Sequence, residues 1–261
     1  MISFSQLNEI QILMFALILV RVSAFIVSAA IFSSNSISAP LKILLAVAFT
    51  LCIYKPISSN EVIARISENQ GDLLLLTMRE ALIGVVLGFV TRFFFFAIAM
   101  GGELVSISMG LGQAQIFNPM VGSMGNAMEQ FYSLLATLVF LAFNGHHLLI
   151  QGLVESFTTA PLAQMSFQYA TLAEVVLKMQ NYFVIGIKIA APVMISMMIV
   201  QLGMALLSRV VPQINVLVTS ASITVLLGFV IMFVSLPLLV MQMSGVIDVS
   251  MTDFFRFLRA I

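Results

Sequence analysis

Long apolar runs constrain this chain more than any other feature. Residues 10–32, 39–54, 73–100, 127–152, 172–211 and 216–246 are almost wholly apolar. About 20 such residues cross a bilayer as a helix. A backbone in hydrocarbon must satisfy its own hydrogen bonds, which favours helices over any open sheet. Charged residues make up only 8% of the chain, against about 25% in a soluble domain. The expectation is an all-α, membrane-type protein with about six spans. The 39–54 run is short for a span. The 172–211 run is too long for a simple one, so either one helix kinks near Pro192 or two helices meet there. Residues 55–72, with Lys55, Glu61, Arg65, Glu68 and Asp72, read as a solvated loop. Residues 156–170, with Pro161, read as another.

Several function classes drop out. Net charge is zero, with 11 basic and 11 acidic residues, which argues against nucleic acid as a partner. Cys52 is the single cysteine, so neither an intrachain disulfide nor a cysteine-built metal site is expected. His146 and His147 are adjacent, point about 100° apart on a helix, and have no obvious third ligand. The chain has no phosphate-binding glycine loop, no Gly-x-Ser-x-Gly elbow and no His-Glu-x-x-His. No catalytic residue, metal or cofactor is therefore expected.

Two features stand out from the apolar background. The first is a set of ionisable residues in or beside apolar runs: Arg21, Glu80, Arg92, Glu103, Glu129, Lys188 and Arg209. Such charges are expensive in hydrocarbon and turn toward a bundle interior, a watery path or a partner. Glu80, Gly84, Gly88 and Arg92 recur every four residues on one drifting stripe. Gly84-x-x-x-Gly88 lets another helix approach closely. Arg21, Glu80, Arg92, Glu103, Lys188 and Arg209 are expected as buried charges or subunit contacts.

The second feature is the stretch 109–126, which lies within a segment free of ionisable side chains from Glu103 to Glu129. It contains Gly110, Gly112, Gly122 and Gly125, with Pro119 in the middle, so it reads as an apolar loop between helices. Such a loop is tolerated at membrane depth only when buried in protein or lining a cavity. Met109, Met120 and Met124 are flexible and polarizable, suited to a surface that seals and re-packs. Two readings fit: a soft plug across a passage, or a tight helix crossing that needs small residues. Near the C-terminus, Phe254, Phe257, Leu258 and Ile261 form a helical stripe with Asp253, Arg256 and Arg259 off it. That amphipathic tail suits a membrane surface, a partner's groove or the chain's own core.

Several segments, in order, resemble the FliR family, the R subunit of the flagellar type III protein-export gate. They are Arg21 with its apolar stretch; Gly102-Glu103 and Met109-Gly110-Leu111; Phe117-Asn118-Pro119; Asn144-Gly145-His146-His147; Ala190-Ala191-Pro192; and Arg209 with Pro212-Gln213-Ile214-Asn215-Val216. Asn118 stands where the family usually has an acidic residue.

The resemblance implies a P-like helical portion, about 1–170, followed by a Q-like helical hairpin and tail, about 171–261. The fold would be long kinked helices and hairpins assembled into a helical gate. The implied partners are the P and Q subunits, the B subunit, and unfolded rod, hook and filament proteins as cargo. The implied place is the bacterial inner membrane within the flagellar basal body, with much of the subunit on the periplasmic side. The family's lumen plug maps onto 109–125, with Met109, Gly110, Leu111, Gly112, Gln113, Ile116, Phe117, Asn118, Pro119, Met120 and Met124. This favours the plug over the crossing. The alternatives are the homologous gate subunit of a virulence injectisome, and an independent ion-coupled secondary transporter.

Overall fold

The computed structural model describes residues 4–33, 37–57, 66, 73–111, 127–162, 169–210 and 216–260. Among them, all regular structure is helical: α1 (Phe4–Ser28), α2 (Ala30–Ser33), α3 (Ala39–Ile57), α4 (Leu73–Met109), α5 (Ala127–Ala142), α6 (Gly145–Thr159), α7 (Tyr169–Val210) and α8 (Val216–Ala260). Among the described residues, five stretches are long and apolar enough to cross a membrane, one each in α1, α3, α4, α7 and α8. The α5–α6 pair makes a sixth if the two count as one broken span. α4 has 37 residues and so runs about 55 Å, well beyond a hydrocarbon core of about 30 Å.

Several boundaries differ from the sequence expectation. α4 continues through Gly101 and Gly102 to Met109 instead of stopping near Met100. α7 is one helix with Pro192 inside it, so the two-helix alternative falls. The 127–152 run is broken at Asn144, which takes a left-handed φ of 57°, a conformation Asn tolerates better than most residues. α6 then continues to Thr159, through part of what reads as loop. The tail is the last turns of α8, not a separate helix.

The chain divides into two compact units interleaved along the sequence. The first comprises 1–93, 144–177 and 250–261. In it α1 and the first half of α4 run side by side in the same direction. Gly84 meets the Arg21 carbonyl, Ala24 and Phe25, and Gly88 meets Phe25, Ser28 and Ala29. The Ser28 hydroxyl donates to the Gly84 carbonyl at 3.2 Å. The Ala30 N–H donates to the Thr91 hydroxyl at 3.3 Å. The four-residue stripe read from the sequence is thus the seam between these two helices. α3 packs on α1, with Phe15 edge-on to Tyr54 at 6.0 Å. The tail stripe turns into this unit: Phe254, Phe257 and Leu258 are buried, and Phe254 lies over Gly152 of α6. Of the three settings open to the tail, the stripe occupies the chain's own core. Ile261 lies outside the described residues.

The second unit comprises 94–143 and 178–249. Here α4 is crossed by α5 and α7 at small residues. Gly101 lies on Ile189 and the Gly186 carbonyl, Gly186 lies on Met100 and the Ala97 carbonyl, and Gly102 lies on Tyr132 and the backbone of Met128 and Glu129. Phe94 and Phe95 both reach Phe140, at 5.7 and 5.5 Å. These crossings explain why α4 survives two adjacent glycines. Each glycine weakens the helix by about 1 kcal/mol, and each allows a backbone approach that a side chain would block.

Candidate functional site

The uncharged stretch leaves α4 from a firmly held end. Gly110 has φ 76°, a conformation glycine adopts without steric cost. Its N–H donates to the Ile107 carbonyl, and the Leu111 N–H donates to the Ser106 carbonyl, both at 3.1 Å. This pair of bonds is the Schellman closure of a helix C-terminus. A third bond comes from α7, where Gln201 Nε2 donates to the Ser108 carbonyl at 2.9 Å. A fourth hold comes from α8. Met109 is fully buried, and its side chain lies against Gly228, where an added Cβ would sit 2.7 Å from both Met109 Cγ and Cε.

The chain returns to the same helix. Met128 and Glu129, in the first turn of α5, lie backbone-close to Gly102. Gly102 is about 10 Å back along α4 from Met109, at 1.5 Å per residue. Both ends of the intervening segment are therefore tied to α4. The contact also brings the neighbourhood of Glu103 to Glu129, and both side chains are half-buried. Of the expected plug residues, Met109, Gly110 and Leu111 are in this anchor. Gly112, Gln113, Ile116, Phe117, Asn118, Pro119, Met120 and Met124 lie outside the described residues.

The charged residues separate into two groups. Arg21 and Glu80 are buried together, with Arg21 Nε donating to Glu80 Oε2 at 2.6 Å. Arg21 Nη1 donates to the Ser156 and Ala160 carbonyls at 3.0 Å each. Its guanidinium lies 4.3 Å from the Phe157 ring centroid. Ser156 and Ala160 belong to the C-terminal end of α6, where a cation complements the helix dipole and the carbonyls left over by the helix. One arginine thus joins α1, α4 and α6. Arg92 reaches back from α4 to cap α1, its Nε donating to the Ser28 carbonyl at 2.6 Å. Arg92 is itself exposed, so it caps α1 from the surface and is not a buried charge, and Lys188 and Arg209 are exposed on α7.

His146 and His147 stand in the first turn of α6 with ring centroids 4.1 Å apart. No group of three or more metal-ligating side chains occurs among the described residues.

Several residues of this framework were not singled out from the sequence. Gly186, Gly228 and Gly152 are lone glycines in apolar or mixed runs, a signal of close helix approach. Gln201 is a lone amide in an apolar run. Ser156 and Ala160 act through backbone carbonyls, which no side-chain pattern reveals.

Comparison with known proteins gives a consistent picture. The family model described as bacterial export proteins, family 1, matches residues 12–249. Flagellar biosynthetic protein FliR of Bacillus subtilis (strain 168) is 27% identical, covering 90% of this chain and 91% of its own. The protein of the same name from Escherichia coli (strain K12) is 30% identical over 85% of this chain and 83% of its own. That of Aquifex aeolicus (strain VF5) is 32% identical over 71% of this chain and 70% of its own.

Proposed function

This chain belongs to the FliR family of bacterial export proteins and is a membrane component of the flagellar export apparatus, and from that premise we propose that it is the structural, pore-closing subunit of the export gate. In this reading the segment 109–125 blocks the passage until an unfolded rod, hook or filament protein displaces it. The subunit is not an enzyme and uses no cofactor. Its partners are the P and Q subunits and the B subunit. Residues 1–170 and 171–261 act as the P-like and Q-like portions. Much of the subunit stands on the periplasmic side of the inner membrane.

The observation that carries this reading is the anchor at Met109–Leu111. A segment that must seal and yield needs fixed ends and a soft middle. The ends are held on α4 by Gly110, Gln201, Met109 and Gly102. The middle is uncharged and rich in glycine and methionine. Its contacts would be dispersive, about 0.1–0.2 kcal/mol per atom pair, so an arriving chain can replace them one by one. Partner subunits are supported by the apolar side chains left exposed on α7 and α8, among them Ile195, Ile199, Leu202, Leu226, Val230 and Phe233. Surface of this extent needs a cover of lipid or protein.

Deleting residues 112–122 and rejoining the ends tests the proposal in cells. The expected result is an assembled gate and sensitivity to small solutes when it is overproduced. Assembly with no change in solute sensitivity would refute the plug.

A further inference from the structure

α1 and α3 form an antiparallel hairpin whose dimensions fit a bilayer. The apolar span of α1 has 20 residues and that of α3 has 19. They therefore run about 30 and about 28 Å, against a hydrocarbon core of about 30 Å. The spans in α4, α7 and α8 have 37, 34 and 38 residues and overrun that thickness. The polar ends of the pair also fall level. At one end Gln11 of α1 and Tyr54 of α3 line the same groove, with Phe15 edge-on to Tyr54. At the other, Lys42 Nζ donates to the Ser33 carbonyl at 3.1 Å. Tyrosine and lysine are side chains that hold a span at the membrane surface. Arg21, the charge within the α1 span, is fully buried and bound to α4 and α6, so the outer side of the hairpin stays apolar.

α3 is the least covered of the five spans, with 17% of it buried. Its outer stripe is Leu41, Leu44, Ala48 and Leu51, at spacings of three and four, and it ends in the exposed Lys55. From Leu51 to Leu41 the stripe runs about 15 Å, half of the hydrocarbon core and so the depth of one leaflet. At the Lys55 end lies an open groove of about 390 Å³, lined by Gln11, Ile12, Phe15 and Tyr54. Ile12 and Phe15 make it apolar, Gln11 and Tyr54 bring an amide and a phenol, and the Lys55 ammonium is one residue along. The close seams of α4 are made at Gly84, Gly88, Gly101 and Gly102, whereas α3 contains no glycine and offers a second helix no such approach. An apolar trough one leaflet deep, with polar groups and a cation at its mouth, matches a phospholipid.

We propose that this groove and the outer stripe of α3 bind an anionic phospholipid of the surrounding bilayer. One acyl chain lies over Ile12 and along Leu51, Leu44 and Leu41, and the phosphate stands level with Tyr54 and Lys55. Lys55 sets the headgroup preference, because a lysine at an anionic membrane surface is worth about a fivefold gain in affinity. The site is independent of the plug reading, since it needs only the α1–α3 hairpin.

Cys52, exposed on α3 next to Leu51, carries the probe for the test. The complete gate is labelled with a nitroxide and reconstituted in vesicles of equal parts phosphatidylglycerol and phosphatidylcholine. The signal of an identically labelled Cys52→Ser gate is subtracted, which leaves the Cys52 label alone. Oxygen dissolves among acyl chains, and a water-soluble nickel chelate does not. Relaxation of the Cys52 label by oxygen but not by the chelate is the expected result. Relaxation by neither means that a protein partner covers the stripe, and relaxation by the chelate means that water does; both overturn the proposal. Native mass spectrometry of gates released from the same vesicles tests the groove and its cation. The Ile12→Asp and Lys55→Gln gates are each expected to retain one phosphatidylglycerol fewer per copy of this chain than the wild type. Both side chains are exposed, so neither change disturbs the chain's core. Unchanged retention in an assembled gate of either kind overturns the site.

Discussion

Replacing Glu80 by leucine strands a buried guanidinium, and the structure sets the size of the effect. The ion pair is 2.6 Å long, with side-chain exposures of 0% and 3%. Removing one partner of such a pair costs about 3–5 kcal/mol. Arg21 keeps the Ser156 and Ala160 carbonyls at 3.0 Å and the Phe157 ring at 4.3 Å, all of which favour a cation. The expected cost therefore lies at the low end, about 3 kcal/mol, against a total stability of about 5–15 kcal/mol. That corresponds to about 6–12 °C in the unfolding midpoint for a chain near this size.

Adding Arg21→Met to Glu80→Leu removes the stranded charge. What remains is the donor lost by the Ala160 carbonyl, about 1–3 kcal/mol, since the Ser156 carbonyl keeps the Ala160 N–H at 2.9 Å. The double variant should be no less stable than Glu80→Leu alone. The assay is the midpoint of the detergent-solubilised gate, followed by circular dichroism and by the fraction still assembled on gel filtration. A Glu80→Leu gate with the wild-type midpoint would mean that the guanidinium is solvated, and the buried-hub account would be wrong.

Other consequences follow from the seams and the tail. Gly84→Ala would drive a methyl into the Arg21 carbonyl, and Gly88→Ala would place one 2.7–2.8 Å from the Ala29 nitrogen and the Phe25 carbonyl oxygen. Neither backbone can yield alone, so both variants should give little assembled gate. Gly245→Ala meets nothing within 4 Å and should raise the midpoint slightly, by up to about 1 kcal/mol of helix propensity; equal behaviour of all three variants would contradict the seam. Phe254→Ala empties the contact on Gly152 and should cost about 3–5 kcal/mol, read as earlier cleavage of the tail in limited proteolysis. An unchanged cleavage rate would mean that the tail is a detachable surface helix.

Much of this arrangement is legible in the sequence, and the illegible part has a physical pattern. The helical class follows from the apolar runs, because hydrocarbon excludes open backbone. The Glu80–Gly84–Gly88–Arg92 stripe is visible as a four-residue repeat, but its partner is not. Nothing local to 80–92 indicates that Arg21, Phe25 and Ser28 lie opposite. Gly101 and Gly102 read as helix breakers because propensity is a local quantity, whereas Ile189 and Tyr132, which make those glycines useful, are distant in sequence. The same holds for the tail. Its stripe says that Phe254, Phe257 and Leu258 face something apolar, and only the fold says that it is the chain's own core. The start of the uncharged loop at Gly110 is legible from the glycine itself, while its anchors, Gln201 and Gly228, come from the other end of the chain.

The central claim is that the segment rooted at Met109 closes the passage. Conductance of the purified gate in planar bilayers tests it most directly, comparing wild type with the chain lacking 112–122. Steady ion conductance from the deleted gate, with wild-type assemblies electrically silent, is the predicted result. An assembled deletion gate as silent as wild type would contradict the claim and leave the stretch as a helix crossing.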